Sequence, residues 1–142
     1  MRLKTAIITL ITIFTSSVLL ANTLSLGDNG DGTWNVNYAS DGEIGGFQFN
    51  VDGATINSAS GGAAGDAGFM VSSSATTALG FSLSGAFILP GNGILVGLEI
   101  SGDTTFACIT DLVISGIGGK QINAEVINCN TIHYTPGTLL KE

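Results

Sequence analysis

Few side chains in this 142-residue chain could do chemistry, and they are scattered. The single histidine, His133, stands in a polar stretch near the C-terminus, and no Gly-x-Ser-x-Gly elbow accompanies it, so a Ser-His-Asp relay has no frame to sit on. Glycoside hydrolysis needs two carboxylates held across a sugar, for instance Glu43 or Glu99 with an aspartate, but no spacing singles out such a pair. Asp28 and Asp31, in Asp28-Asn29-Gly30-Asp31-Gly32, are the candidate calcium ligands. A calcium loop of the EF-hand kind places oxygen donors at its first, third and fifth positions, and here the third is Gly30. Cys108 and Cys129 are too few to hold zinc once they pair. The expectation is a protein that is not an enzyme and needs no cofactor, with calcium at Asp28 and Asp31 the alternative kept open.

The chain opens with Met1-Arg2-Leu3-Lys4 and runs almost uncharged to Ala21 through Ile7, Ile8, Leu10, Ile11, Ile13, Phe14, Val18, Leu19 and Leu20. That is the basic start and apolar middle of an export signal, at the short edge of the ~20 residues a membrane span requires. A cut after Ala21 removes Arg2 and Lys4 and leaves Lys120 and Lys141 against all 11 acidic residues. So acidic a surface repels phosphate backbones and anionic lipid heads, which excludes nucleic acid and, after signal cleavage, the membrane as partners. The expectation is a secreted, extracellular chain. In that setting an even cysteine count points to a Cys108–Cys129 disulfide. Spacing agrees, because a two-residue turn at Gly118-Gly119 sets Ile117 opposite Lys120 and, further out, Cys108 opposite Cys129.

The mature length suits one domain, and the elements that must form it read as strands. Phe47, Phe49 and Val51 alternate with Gln48, Asn50 and Asp52 after Gly45-Gly46, the pattern of a central strand with one buried face. Leu24 and Leu26 pair across the Asp28–Gly32 turn with Trp34, Val36 and Tyr38 as a hairpin. Residues 58–68 read as a loop or a weak strand crossing between layers. Phe69 and Val71, then Leu79, Phe81 and Leu83, then Phe87 to Leu89 supply further apolar alternation. Ile94, Val96, Leu98 and Ile100 alternate with Leu95, Gly97 and Glu99. No segment keeps a helical period, and no repeat appears, so eight or nine strands must close on themselves as a single β-sandwich of jelly-roll type.

Ile44-Gly45-Gly46-Phe47-Gln48-Phe49-Asn50-Val51 resembles the cohesin strand in which Gly-Gly-Phe-Gln-Phe introduces an alternating run. Gly93-Ile94-Leu95-Val96-Gly97-Leu98-Glu99-Ile100 is similar to a late cohesin strand, and Thr110-Asp111-Leu112-Val113-Ile114-Ser115 to the stretch before the final one. The resemblance implies a nine-stranded jelly roll that presents one flat sheet to a dockerin. It assigns the partner-binding role to Gln48 and Asn50. It also implies that the last two strands enter opposite sheets, making the Cys108–Cys129 bridge an inter-sheet one.

The domain organisation expected is a signal peptide over residues 1–21, a cohesin-like all-β domain over 22–130 and a tail over 131–142. The function expected is a non-catalytic binding or scaffolding module for a dockerin-like protein. Two alternatives stand beside it. One is a carbohydrate-binding module for an extracellular polysaccharide, for which Trp34 and Tyr38 are the large aromatic candidates outside the phenylalanines, although their shared strand face suits core packing better. The other is a structural subunit of an extracellular or virion-like assembly.

Overall fold

A computed structural model describes residues 22–127 and 129. The expected signal segment over 1–21 and the tail over 131–142, with His133 and Lys141, lie outside the described residues. The chain runs β1 (Thr23–Asp28), β2 (Thr33–Ser40), β3 (Gly46–Asp52), β4 (Thr55–Ser60), α1 (Gly62–Asp66), β5 (Met70–Ser73), β6 (Thr77–Phe81), β7 (Gly91–Ser101), β8 (Cys108–Ser115), a 3-10 turn at Ile117–Gly119, β9 (Gln121–Ile122) and β10 (Glu125–Val126). Two five-stranded sheets result, ordered β10-β1-β2-β7-β4 and β5-β6-β3-β8-β9. The strand count exceeds the expected eight or nine because the last two strands are two-residue pairings.

Strand β3 sits at the centre of the second sheet, between β6 and β8. Its alternation is realised as expected, with Phe47, Phe49 and Val51 buried and Gln48 and Asp52 exposed. The rings of Phe47 and Phe49 stack at 6.0 Å between centroids, and Phe47 stacks on Phe69 at 6.5 Å. This aromatic row fills the space between the layers, against Leu24, Val36, Leu95, Val96 and Leu98 of the first sheet. Phe69 is delivered by α1, a helix that sequence periodicity did not reveal because it is five residues long. Gly68 ends it at φ 81°, with Gly68 N–H donating to the Gly65 carbonyl and Phe69 N–H to the Ala64 carbonyl, a glycine C-terminal cap. The strand before it, β4, runs to Ser60, into the stretch read as a loop or a weak strand, and forms an edge of the first sheet.

Strand β6 reverses the expected phase. Ala78 and Gly80 face inward, while Leu79 and Phe81 turn outward. The cause is steric. Phe47 is directly opposite Gly80 and its ring lies over that residue, so a Cβ there would meet the Phe47 ring at 2.5 Å. With the interior taken by phenylalanines of β3, only the smallest residues of β6 can point into it. Leu83 and Leu89, also in the expected apolar alternation, are exposed. A second departure is in β7, where Leu95 is fully buried and Ile94 is exposed. Val36 pairs with Val96 but Asn37 pairs with Ile94, so Leu95 is the extra residue of a β-bulge and the alternation slips by one there.

The disulfide joins Cys108 to Cys129 with Cα atoms 5.3 Å apart. The hairpin route to it is corrected. Gly116 N–H donates to the Lys120 carbonyl, and the ladder pairs Ser115 with Gln121 and Ile114 with Ile122, one residue out of step with a Gly118-Gly119 turn. It stops there. The chain then crosses to the first sheet, where β10 runs parallel to β1 with Thr23 opposite Glu125 and Leu24 opposite Val126. The bridge therefore ties β8 of one layer to the segment after β10 of the other, as the resemblance implies.

Two stability outcomes follow. Gly80→Ala should cost about 1–3 kcal/mol and Phe47→Ala about 3–5 kcal/mol, while Gln48→Ala stays within about 0.5 kcal/mol. Urea midpoints for the three variants would check this, and equal losses at Phe47 and Gln48 would overturn the strand phase. The disulfide spans a sequence separation of 21, for which loop closure contributes about 3 kcal/mol. A paired Cys108→Ser/Cys129→Ser variant should lose that amount against the oxidised protein, and an unchanged midpoint would contradict it.

Candidate functional site

The outward side chains of the second sheet form rows across the strands, because directly paired residues in an antiparallel ladder share a face. One row is Met70, Phe81, Gly46 and Ser115, and the next is Ser72, Leu79, Gln48 and Val113. Met70 and Val113 are each about half exposed, and Leu79 and Phe81 are partly exposed. The first sheet is different outside: paired outward positions bring Ser25, Asn35, Asn37, Ser58, Ser60 and Glu99 to its surface, with Ile94 as an exposed apolar residue among them. One outer face is apolar at its centre; the other is built mostly of amides and hydroxyls.

Gln48 stands in the middle of the apolar face, exposed, and its amide hydrogen-bonds to no described residue. Asn50 is half-buried and used at both ends. Thr77 Oγ1 donates to Asn50 Oδ1 at 2.7 Å, and Asn50 Nδ2 donates to Asp111 Oδ2 at 3.0 Å. This chain of contacts crosses β6, β3 and β8. Asp111 takes a left-handed φ of 51° where the β3–β8 register slips, with Gln48 opposite Val113 but Asn50 opposite Thr110. The extra β8 residue of that bulge sets a carboxylate onto the face beside Asn50, and Asp52 is exposed on the same strand. The face thus runs from an apolar centre to an acidic end.

Between the first two rows lies a pocket of about 200 Å³ bounded by Gly46, Gln48, Leu79, Phe81, Val113 and Ser115. It exists because Gly46 has no side chain on the outer face, where a Cβ would meet Ser115 Oγ at 3.1 Å. Sequence reasoning placed Gln48 and Asn50 on this outer face and did not place Leu79, Phe81, Met70 and Val113 there. Leu79 and Phe81 read in the sequence as apolar alternation, and the signal that turns them outward is the pair of small residues, Ala78 and Gly80, alternating with them.

The candidate calcium ligands, Asp28 and Asp31, hydrogen-bond within their own turn. Asp28 Oδ1 accepts from Gly30 N–H at 2.8 Å. Asp31 Oδ1 accepts from Thr33 N–H at 3.0 Å and from the Thr33 hydroxyl at 2.6 Å, and those bonds, the hydroxyl's first, lower the Asp31 carboxyl below its ordinary value. Both carboxylates close the β1–β2 turn on itself. No group of three or more metal-ligating side chains occurs among the described residues. Trp34 and Tyr38, the aromatic candidates for a sugar platform, are partly buried and pack against the core.

No protein-family model and no curated sequence matches the chain. Solved structures do. A non-cellulosomal cohesin from the hyperthermophilic archaeon Archaeoglobus fulgidus aligns with a TM-score of 0.54 at 13% identity, covering 74% of this chain and 85% of that one. The third cohesin ScaC from Acetivibrio cellulolyticus, solved in complex with the ScaB dockerin, aligns with a TM-score of 0.52 at 13% identity, covering 74% of this chain and 93% of that one. At such identities the likeness concerns the fold, and the fold that Gly45-Gly46-Phe47-Gln48-Phe49 led one to expect is the fold found: this chain is a cohesin-like β-sandwich.

Proposed function

We propose that the protein is a secreted, non-catalytic binding module that offers the outer face of the β5-β6-β3-β8 sheet to a protein partner of dockerin type. In this reading residues 1–21 are the export signal, 22–130 the binding domain and 131–142 a tail. The observation that carries it is the contrast between the two outer faces. Met70, Leu79, Phe81 and Val113 stand in a flat patch on one sheet, an arrangement that gains little from water and much from a complementary surface. Gln48 supplies an unengaged amide at the patch centre. Asn50 contributes through Asp111, which it orients at the patch edge. The ScaC cohesin solved with a dockerin supports the choice of partner class.

A panel of purified dockerin modules immobilised on a sensor surface tests the reading. At least one should bind the wild-type protein. A Gln48→Arg/Val113→Arg variant should lose on the order of 100-fold in affinity, since two bulky cations at the centre of a desolvated patch remove about 2–3 kcal/mol. Asn35→Arg, on the opposite sheet, should bind as wild type. Equal binding by all three, binding by no module in the panel, or robust hydrolase activity in the pure domain would refute the proposal.

A further inference from the structure

The pocket over Gly46 points to a specific kind of contact: we infer that it is a socket for one uncharged, apolar side chain of the docking protein, flanked on the partner by a basic residue that reaches Asp111. The inference rests on the docking face proposed above and adds the chemistry of its anchor. Three features converge on it. The pocket's rim is Leu79, Phe81 and Val113, its remaining walls are Gln48 and Ser115, and it contains no ionisable group. A charged tip placed there would lose its hydration with nothing to replace it, whereas an aliphatic or aromatic tip would cover three apolar rims at once. Second, its volume of about 200 Å³ is several times the space of a water molecule, so it is sized for a side chain rather than for a single ordered water. Third, its floor is rigid. Beneath it Gly80 is closed off by the Phe47 ring on the core side, so the socket cannot collapse inward without displacing a buried phenylalanine.

The neighbouring charge fixes the second half of the inference. Asn50 and Asp111 belong to the row beyond Gln48 and Val113. The pocket lies between the Gly46 and Gln48 rows, so the Asn50 row is about three residues further along the strand, roughly 10 Å. A partner that seats an apolar knob in the pocket therefore meets the Asp111 carboxylate about three residues further on if its own chain is extended, and the complementary group there is a lysine or arginine. Asn50 takes up only Oδ2 of that carboxylate, and Oδ1 accepts from no other described side chain. A pocket that becomes desolvated on docking, beside a carboxylate the partner can pair, is where interface energy concentrates.

The test uses the full-length chain labelled with nitrogen-15 and two small probes, indole and isoamyl alcohol. Both should produce saturable, millimolar-range shifts of the Gly46, Gln48, Gly80 and Val113 amides. Ser115→Leu, which fills the socket from its open side, should abolish those shifts with an unchanged melting temperature, and should weaken capture of a bound dockerin module by tenfold or more. Asp111→Asn should leave probe binding intact while removing the salt dependence of dockerin capture. Shifts that appear instead around Tyr38 and Phe87 beside α1, or no shifts at all, would overturn the socket. Undiminished dockerin capture by the Ser115→Leu variant would also overturn it while leaving the docking face standing. Probe binding in the socket with no effect of the Gln48→Arg/Val113→Arg substitutions on capture would overturn the docking face instead.

Discussion

The Phe47 ring lying on the bare backbone of Gly80 is the contact from which both the core and the outer surface of the second sheet take their form. A phenylalanine on a central strand needs lateral space in the interior, and the neighbouring strand provides it by placing Ala78 and Gly80 inward. The same substitution pattern has an outward consequence. A strand that gives its small residues to the core gives its large ones to solvent, so Leu79 and Phe81 emerge beside Gln48. Core packing and a partly apolar outer face are thus two results of one steric choice. Stacking of Phe47 on Phe49 and Phe69 then makes that choice expensive to undo, since three rings would have to move together.

The two layers are also joined covalently and topologically at the end of the chain. After two pairs with β8, the backbone leaves the second sheet and lies parallel to β1 in the first. This covers an edge of the first sheet that would otherwise present unpaired N–H and carbonyl groups. Such a short parallel pairing contributes little by itself. Glu125 N–H to the Asn22 carbonyl and Ile127 N–H to the Leu24 carbonyl are the bonds around it, and the Cys108–Cys129 bridge comes two residues later. The disulfide ties the two sheets together just beyond this short pairing and restricts the unfolded chain.

How far this was legible in the sequence depended on whether a residue's environment was local. The phase of β3 could be read directly, because alternation of Phe47, Phe49 and Val51 with polar residues is a property of the strand alone. The β1–β2 turn could be read for the same reason. Leu79 and Phe81 could not, because their direction is decided by the ring on the adjacent strand, and apolar character by itself argues for the interior. Leu95 was hidden by a bulge, a one-residue slip that leaves no mark in composition. The cysteine pairing was reached from export and parity, while the hairpin arithmetic beside it arrived at the same pair through a ladder that does not form. Of the outer face of the second sheet, Gln48 and Asn50 were accessible from β3, whereas the contributions of β5, β6 and β8 required the register between strands.

Electrostatics gives the proposed docking face a direction as well as a position. Of the ionisable residues described, Lys120 is the one cation, set in the turn beyond β8, while the face itself carries Asp111 and Asp52 toward one end. A basic partner approaching such a surface would be drawn first to the acidic end and held there loosely, since exposed charges attract at long range but contribute little net affinity. The apolar rows around Gln48 act only at contact, when water leaves. Separating the two along the strand axis lets one end guide the encounter and the other set how long it lasts. The Thr77–Asn50–Asp111 contacts connect these ends mechanically, because Asn50 is bonded both to the strand that carries Leu79 and Phe81 and to the bulge that carries Asp111. A change at Asn50 would therefore alter the angle between charge and apolar patch without removing either, which makes that amide the place where the face's geometry is held.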